Sequence, residues 1–237
     1  MAKIMIGIPS IRNDQNFMLS MSEFIPALSK IHNLCVIEVR EKKIDEARNL
    51  IVDMFMSKDY DYLLFLDDDH SGHKVEMISA LLKPLEENKE YVCAIKCYSR
   101  IFPHVPTLMD YSGVEDNLER LGLDGKRGKY ITKENKDGYA YCNLVGFGMT
   151  LIRKEVFNIL NKPYFIGENN QREDNYFCDR LQHYGIQPVG CFDYTLPHNG
   201  IDESNFQKLN DSITNEIKES LIKNCPEYHG QDITIVA

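Results

Sequence analysis

No stretch of this 237-residue chain approaches the roughly 20 consecutive apolar residues that cross a bilayer as a helix. The opening MAKIMIGIPSIRND has only a short apolar stretch before Pro9 and Arg12, too short for the core of a signal peptide. Cysteines are sparse: seven, at positions 35, 93, 97, 142, 178, 191 and 225, an odd number with no CxxC pair. That excludes a disulfide framework and points to reduced thiols filling a core in a reducing compartment. Positive charge is also short, with 27 Lys and Arg against 36 Asp and Glu and a net charge of −9. Bulk attraction to nucleic acid is therefore not the basis of function, although a local basic patch on a nucleic-acid-modifying enzyme stays open. Internal repeats and low-complexity segments are absent. The expectation is a cytoplasmic protein whose only membrane association would be peripheral.

At 43% hydrophobic and 27% charged, the chain is that of a globular protein, long enough for a core that covers both faces of a sheet. Ile4 to Ile8 reads as a buried strand stopped by Pro9-Ser10. Residues 17–31 are weakly helical, and Leu34 to Val39 is a second strand. In KKIDEARNLIVDMFMSKD, residues Ile44, Ala47, Ile51, Met54 and Phe55 fall on one helical stripe. Arg48 lies on that same inward stripe, where a charge needs a partner, a ligand or an escape along the stripe's edge. Tyr62 to Leu66 is a third strand whose continuous apolarity predicts a central, parallel position. Val75 to Leu85 reads as a helix and Tyr91 to Cys97 as a fourth strand. Alternating strands and helices predict an α/β fold with a mostly parallel sheet. Residues 98–140 form a loop-rich insertion. Strand character returns over 139–152, with helices over 154–160 and 173–184, the latter ended by Gly185. A last strand spans 190–196, followed by an amphipathic tail.

The third strand ends in DDDHS. Three adjacent carboxylates repel one another unless a cation shares their field. Ligands of open α/β sheets bind beyond the carboxyl ends of strands, and hard oxygen donors there suit Mg²⁺ or Mn²⁺. The plainer reading is a solvated turn in which an aspartate caps the following helix. His70 and His73 raise the possibility of zinc, but HSGH alone falls short of a ligand set and reads as ordinary surface histidines.

At this point the sequence resembles the nucleotide-sugar glycosyltransferases of the GT-A fold, closest to the family 2 type, over about residues 3–200. IGIPS resembles the first-strand loop beside the donor nucleotide. ARNLIVDMFMSKDYDYLLFLDDDH resembles the helix and strand that run into the DxD motif. CYSRIFPHVP, VGFGMTLIRKEVF, REDNYFCDRLQHYG and LPHNG follow in the family's order. The resemblance implies a single GT-A (nucleotide-diphospho-sugar transferase-like) domain over 1–200, with a mixed, mostly parallel sheet flanked by helices, and a helical tail over 201–237.

The implied roles follow by position. Pro9, Ser10 and Arg12 would border base and ribose, Arg48 would contact the nucleotide, and Asp67 would bind its ribose or uracil side. Asp69 and His198 would hold Mn²⁺ or Mg²⁺, with Asp68 as a nucleotide-side residue or substitute ligand. Arg100, Gly146 and Gly148 would border donor sugar and acceptor, although both glycines read equally as β-bulge glycines. Asp174 is the candidate base, ahead of Glu173, because it shares a helix face with Phe177 and Leu181. A helix N-terminus also favours its ionised form. The implied reaction is inverting transfer of a single sugar, with a UDP-sugar favoured as donor. The acceptor (glycan, lipid, protein or modified nucleobase) stays open, with Lys126, Arg127 and Lys129 available to shape its site. A nucleotidyltransferase is the alternative enzyme, weakened because no glycine-rich, basic phosphate loop follows the first strand. A non-catalytic nucleotide-sugar or glycan-binding module is the other, favoured if Asp174 faced solvent.

Overall fold

The computed structural model describes residues 1–11, 14–98, 107–110, 129–130, 137–167 and 172–199. The expectations for Arg12, Arg100, Lys126, Arg127 and the tail over 201–237 lie outside the described residues.

Strand β1 (Lys3–Ser10) leads through α1 (Gln15–Leu28) to β2 (Asn33–Arg40), and α2 (Ile44–Met56) leads to β3 (Tyr62–Leu66). Next come α3 (Val75–Glu87), β4 (Val92–Cys97), β5 (Leu108–Asp110), β6 (Lys129–Tyr130), β7 (Tyr139–Tyr141) and β8 (Leu144–Val145). The described chain closes with β9 (Met149–Arg153), α4 (Lys154–Ile159), α5 (Glu173–His183) and β10 (Val189–Leu196). Seven strands form one sheet in the order β2-β1-β3-β9-β4-β10-β7, and β6-β5-β8 form a small second sheet. Strands β2, β1, β3, β4 and β10 run in one direction, while β9 and β7 run against them. The architecture is thus the mixed, mostly parallel α/β sheet that the alternation of elements predicts. The strand over 62–66 is central, but parallel only on its β1 side; its other neighbour, β9, is antiparallel.

The sheet has cores on both faces. Leu63, Leu64, Phe65 and Leu66 have no exposed surface, because alternate side chains of β3 point into opposite layers. Leu63 and Phe65 meet Ile51, Val52 and Phe55 of α2, while Leu64 and Leu66 meet α1 and α3 through Phe24, Ile78 and Leu81. Helix α1 starts where Asp14 accepts from the backbone N–H groups of Asn16 and Phe17 at 2.9 and 3.1 Å. Helix α5 carries Glu173 and Asp174 in its first turn and Arg180 and His183 in its last, which complements its dipole. It is followed by Gly185 at φ +73°.

The stripe of α2 departs from expectation at one place. Met54 is 44% exposed and Val52 is fully buried instead. Asn49 and Asp45, on the helix's flank, grip the backbone of Tyr164, Phe165 and Gly167, which rolls the apolar face toward Val52.

Candidate active site

Because β1, β3, β4 and β10 share a direction, their carboxyl ends open on one edge of the sheet. That edge receives Ser10, the 67–70 loop and the 197–199 turn. Antiparallel β9 brings its amino end, and so Gly148, to the same edge.

The three aspartates turn different ways. Asp68 is buried, its Oδ2 accepting from Ser10 Oγ at 3.0 Å and from the N–H of Ile11 at 2.9 Å. It therefore clasps the end of β1 to the end of β3. Asp67 Oδ1 accepts from Arg48 Nη2 at 3.0 Å. Asp69 faces His70, with Oδ1 3.5 Å from Nε2. None of the three caps α3, whose N-cap is Lys74 and makes no side-chain cap bond. The solvated-turn reading thus loses its structural basis.

His70 and His73 are not surface residues: they are 2% and 8% exposed. His73 belongs to the core beneath α1, with Nδ1 3.0 Å from Ser20 Oγ and its ring against Phe17 and Phe24. Burial pushes its pKa down to about 3. His70 belongs to the site. Its ring lies against that of His198, tilted by 37° with centroids 3.9 Å apart, and the backbones of the two residues bridge as an antiparallel pair. The N–H of Asn199 donates to Asp69 O at 2.8 Å, and that of Ser71 to Pro197 O at 3.3 Å, which stitches the two loops together.

Ligand atoms of Asp69, His70 and His198 lie within 4.8 Å of one another, the one such group among the described residues. His70 is the residue that sequence reasoning missed. The signal was its place directly after the aspartates, but only the 198 turn shows where the ring goes. The trio fits a divalent cation on chemical grounds. His70 Nδ1 lies 3.2 Å from Pro197 O, which can only accept, so Nδ1 carries a proton. A neutral ring then turns the Nε2 lone pair toward a carboxylate oxygen, an arrangement that needs a cation or a proton between them.

Behind Asp67 sits a second group of charges. Arg48 is 2% exposed, and its Nη2 also lies 3.2 Å from Glu173 Oε1. Its guanidinium packs against Phe147, Phe65 and Phe165 at 4.5, 5.4 and 5.8 Å from the ring centroids. Arg48 thus stands between Asp67 and Glu173, while Asp69 and Asp174 add to the negative charge around Asp67. Burial, reinforced by Asp69, Glu173 and Asp174 and opposed by Arg48, pushes Asp67 up to about 7. A quarter of the Asp67 side chain stays open to solvent. Asp174 is raised to about 6, by burial first and then by the Glu173 charge, against the pull of Arg48 and of the Asn175 N–H. Burial therefore outweighs the helix N-terminus, which alone would have lowered it.

Gly146 and Gly148 lie in the link between β8 and β9, and neither has a positive φ, so it is close approach and not a left-handed turn that favours glycine there. A Cβ on Gly148 would stand 2.6 Å from His70 Nε2, and one on Gly146 would stand 2.6 Å from Thr107 Oγ1. Gly148 is the floor on which the His70 ring rests.

No protein-family model matches the chain, and no curated protein matches it. Solved structures do. A197 from STIV aligns with a TM-score of 0.59 at 19% identity, over 85% of this chain and 87% of that one. GalNAc-T7, in a crystal structure with UDP, GalNAc and Mn²⁺, aligns with a TM-score of 0.52 at 12% identity, over 84% of this chain and 44% of that one. This chain therefore spans less than half of GalNAc-T7. Among the described residues, no helix is long and apolar enough to cross a membrane. At these identities the likeness shows the fold: the chain is an α/β domain of the GT-A type.

Proposed function

We propose that the protein is a metal-dependent glycosyltransferase, family 2-like in the order of its motifs, that moves one sugar from a nucleotide-sugar donor to an acceptor hydroxyl with inversion. The observation that carries this reading is the meeting of Asp69, His70 and His198 at the carboxyl edge of the sheet, beside Asp67 and the partly buried acid Asp174. The Mn²⁺, UDP and GalNAc of the GalNAc-T7 structure support a divalent metal and favour a UDP-sugar. Two imidazoles and one carboxylate suit Mn²⁺ better than Mg²⁺, which prefers oxygen.

Asp69, His70 and His198 would hold the cation, which supplies charge neutralisation for a diphosphate leaving group. Pro9 and Ser10, with Arg12, border the base and ribose, and Asp67 accepts from a donor hydroxyl. Asp174 takes the proton of the acceptor hydroxyl. A carboxylate held at about 6 is ionised near neutral pH yet basic enough to accept that proton. Its half-buried place beside the charge cluster, turned from full solvent, supports a transferase over a binding module.

The test is calorimetric titration with UDP and with GDP, with and without Mn²⁺, followed by a donor-hydrolysis assay without acceptor. Metal-dependent binding of one nucleotide, lost in Asp69→Ala, with slow release of free sugar, is the expected result. Binding without any donor turnover would favour the module, and no binding of either nucleotide in the presence of Mn²⁺ would overturn the proposal.

A further inference from the structure

Resting on that reading, we infer that Arg48 and Glu173 are a positioning pair that locks the candidate base to the donor loop, and that Arg48 does not touch the nucleotide. The sequence expectation placed Arg48 against the donor. Its side chain is instead sealed at 2% exposure beneath Phe147, with Phe65 and Phe165 completing an apolar collar. Its Nη2 bridges Asp67 Oδ1 at 3.0 Å and Glu173 Oε1 at 3.2 Å. The bridge thus joins α2, the end of β3 and the first turn of α5, three elements that no backbone ladder connects to one another at this point. Without it, the carboxylates of Asp67 and Glu173 would face each other with no cation between them, and repulsion would drive the start of α5 away from the loop.

The bridge also separates the two acids that sequence reasoning left side by side. Glu173 is engaged by Arg48. Asp174, the next residue, accepts from the N–H of Asn175 in its own helix at 2.8 Å and, among the described residues, makes no ion pair, the Arg48 and Arg172 charges reaching it only at longer range. Glu173 is therefore the anchor, and Asp174 is the carboxylate left to receive a proton. Placement of a reacting group matters steeply: about 1 Å of displacement can lower a rate on the order of 100-fold.

The experiment compares wild type with Arg48→Lys, Arg48→Met, Glu173→Gln and the Met/Gln double variant. It measures Kd for UDP in the presence of Mn²⁺, kcat for donor turnover, and urea unfolding. A lysine ammonium is a single point on a shorter reach and spans the two carboxylates poorly. The expected result is a UDP Kd within about threefold of wild type in Arg48→Lys, while kcat falls on the order of 100-fold. Arg48→Met falls further, Glu173→Gln reproduces the loss, and the double variant is no worse than the poorer single one. A Kd that weakens in step with kcat would mean that Arg48 serves nucleotide binding, directly or through Asp67, and that result overturns the inference. Full kcat in Glu173→Gln, or additive losses, overturns it as well. Should wild type neither bind UDP with Mn²⁺ nor turn over donor, the proposed function fails instead. The bridge is then read from the unfolding cycle alone, where about tenfold coupling in the unfolding equilibrium supports it and additivity refutes it. If Arg48→Met does not fold, Arg48→Lys completes the same cycle with Glu173→Gln.

Discussion

Replacing Gly148 by alanine separates a packing role from a sugar-contacting one. The new Cβ would stand 2.6 Å from His70 Nε2 and 3.0 Å from both Cδ2 and Cε1. Ordinary contact needs about 3.5 Å, so the imidazole must retreat by roughly 0.9 Å. It has little room to do so, with the His198 ring 3.9 Å away on one side and Nδ1 held by Pro197 O at 3.2 Å. Overpacking of this kind costs about 1–3 kcal/mol, readable as a lower urea midpoint of the metal-free protein. The same shift exceeds the roughly 0.2 Å tolerance of a metal–ligand distance, so Mn²⁺ affinity should fall by about 10–100-fold in a calorimetric titration. A glycine needed only for close approach of a sugar would behave differently. Gly148→Ala would then keep wild-type stability and Mn²⁺ affinity and lose turnover alone. That outcome would refute the packing argument.

His73 is depressed from 6.5 to about 3 in the folded state, so below pH ~6.5 the unfolded chain binds a proton that the folded chain refuses. This contribution to stability is complete above pH 6.5 and should be lost at about 1.4 kcal/mol per pH unit as pH falls toward 3. Urea unfolding of wild type minus His73→Asn isolates the slope from the opposing drift of Asp67 and Asp174, and equal slopes would defeat the assignment. Asn49 donates to Asp45 O and Phe165 O and accepts from the N–H groups of Tyr164 and Phe165. Asn49→Ala should therefore lose about 2–4 kcal/mol in chemical denaturation, and a loss under 1 kcal/mol would show that water replaces these bonds. Asp174→Asn should lower donor transfer on the order of 100-fold or more while UDP binding persists. In the wild type, the acid limb of kcat/KM should lie near pH 6 and not near 4, because the carboxylate is the base only when ionised. A limb near 4 would place the base elsewhere.

Much of this was legible because it depends on local pattern. The run YLLFL must be buried on both faces, so β3 was readable as a central strand and DDD as its carboxyl end. Arg48 announced itself as a charge on an apolar stripe, and burial confirms the anomaly. Asp174 could be placed on an inward helix face from its spacing to Phe177 and Leu181. Its pKa direction could not, since a helix N-terminus argues one way and burial the other, and only the packed structure weighs them.

The sequence by itself determined the alternation of the main strands and helices, though not the short strands β5 to β8, together with the two-faced core and the concentration of acid at one strand end. Hydrophobic periodicity and turn chemistry act over a few residues and are written in the chain. What the tertiary structure decided is which distant residues share a space. The antiparallel insertion of β9 between β3 and β4 puts Gly148 under His70. The parallel run of β10 beside β4 carries His198 onto His70 across 128 positions. The packing of α5 beside α2 sets Glu173 against Arg48. Each of these contacts depends on strand register and direction in the sheet, which no local pattern encodes, and together they separate the three aspartates into a clasp, a bridge partner and a candidate ligand.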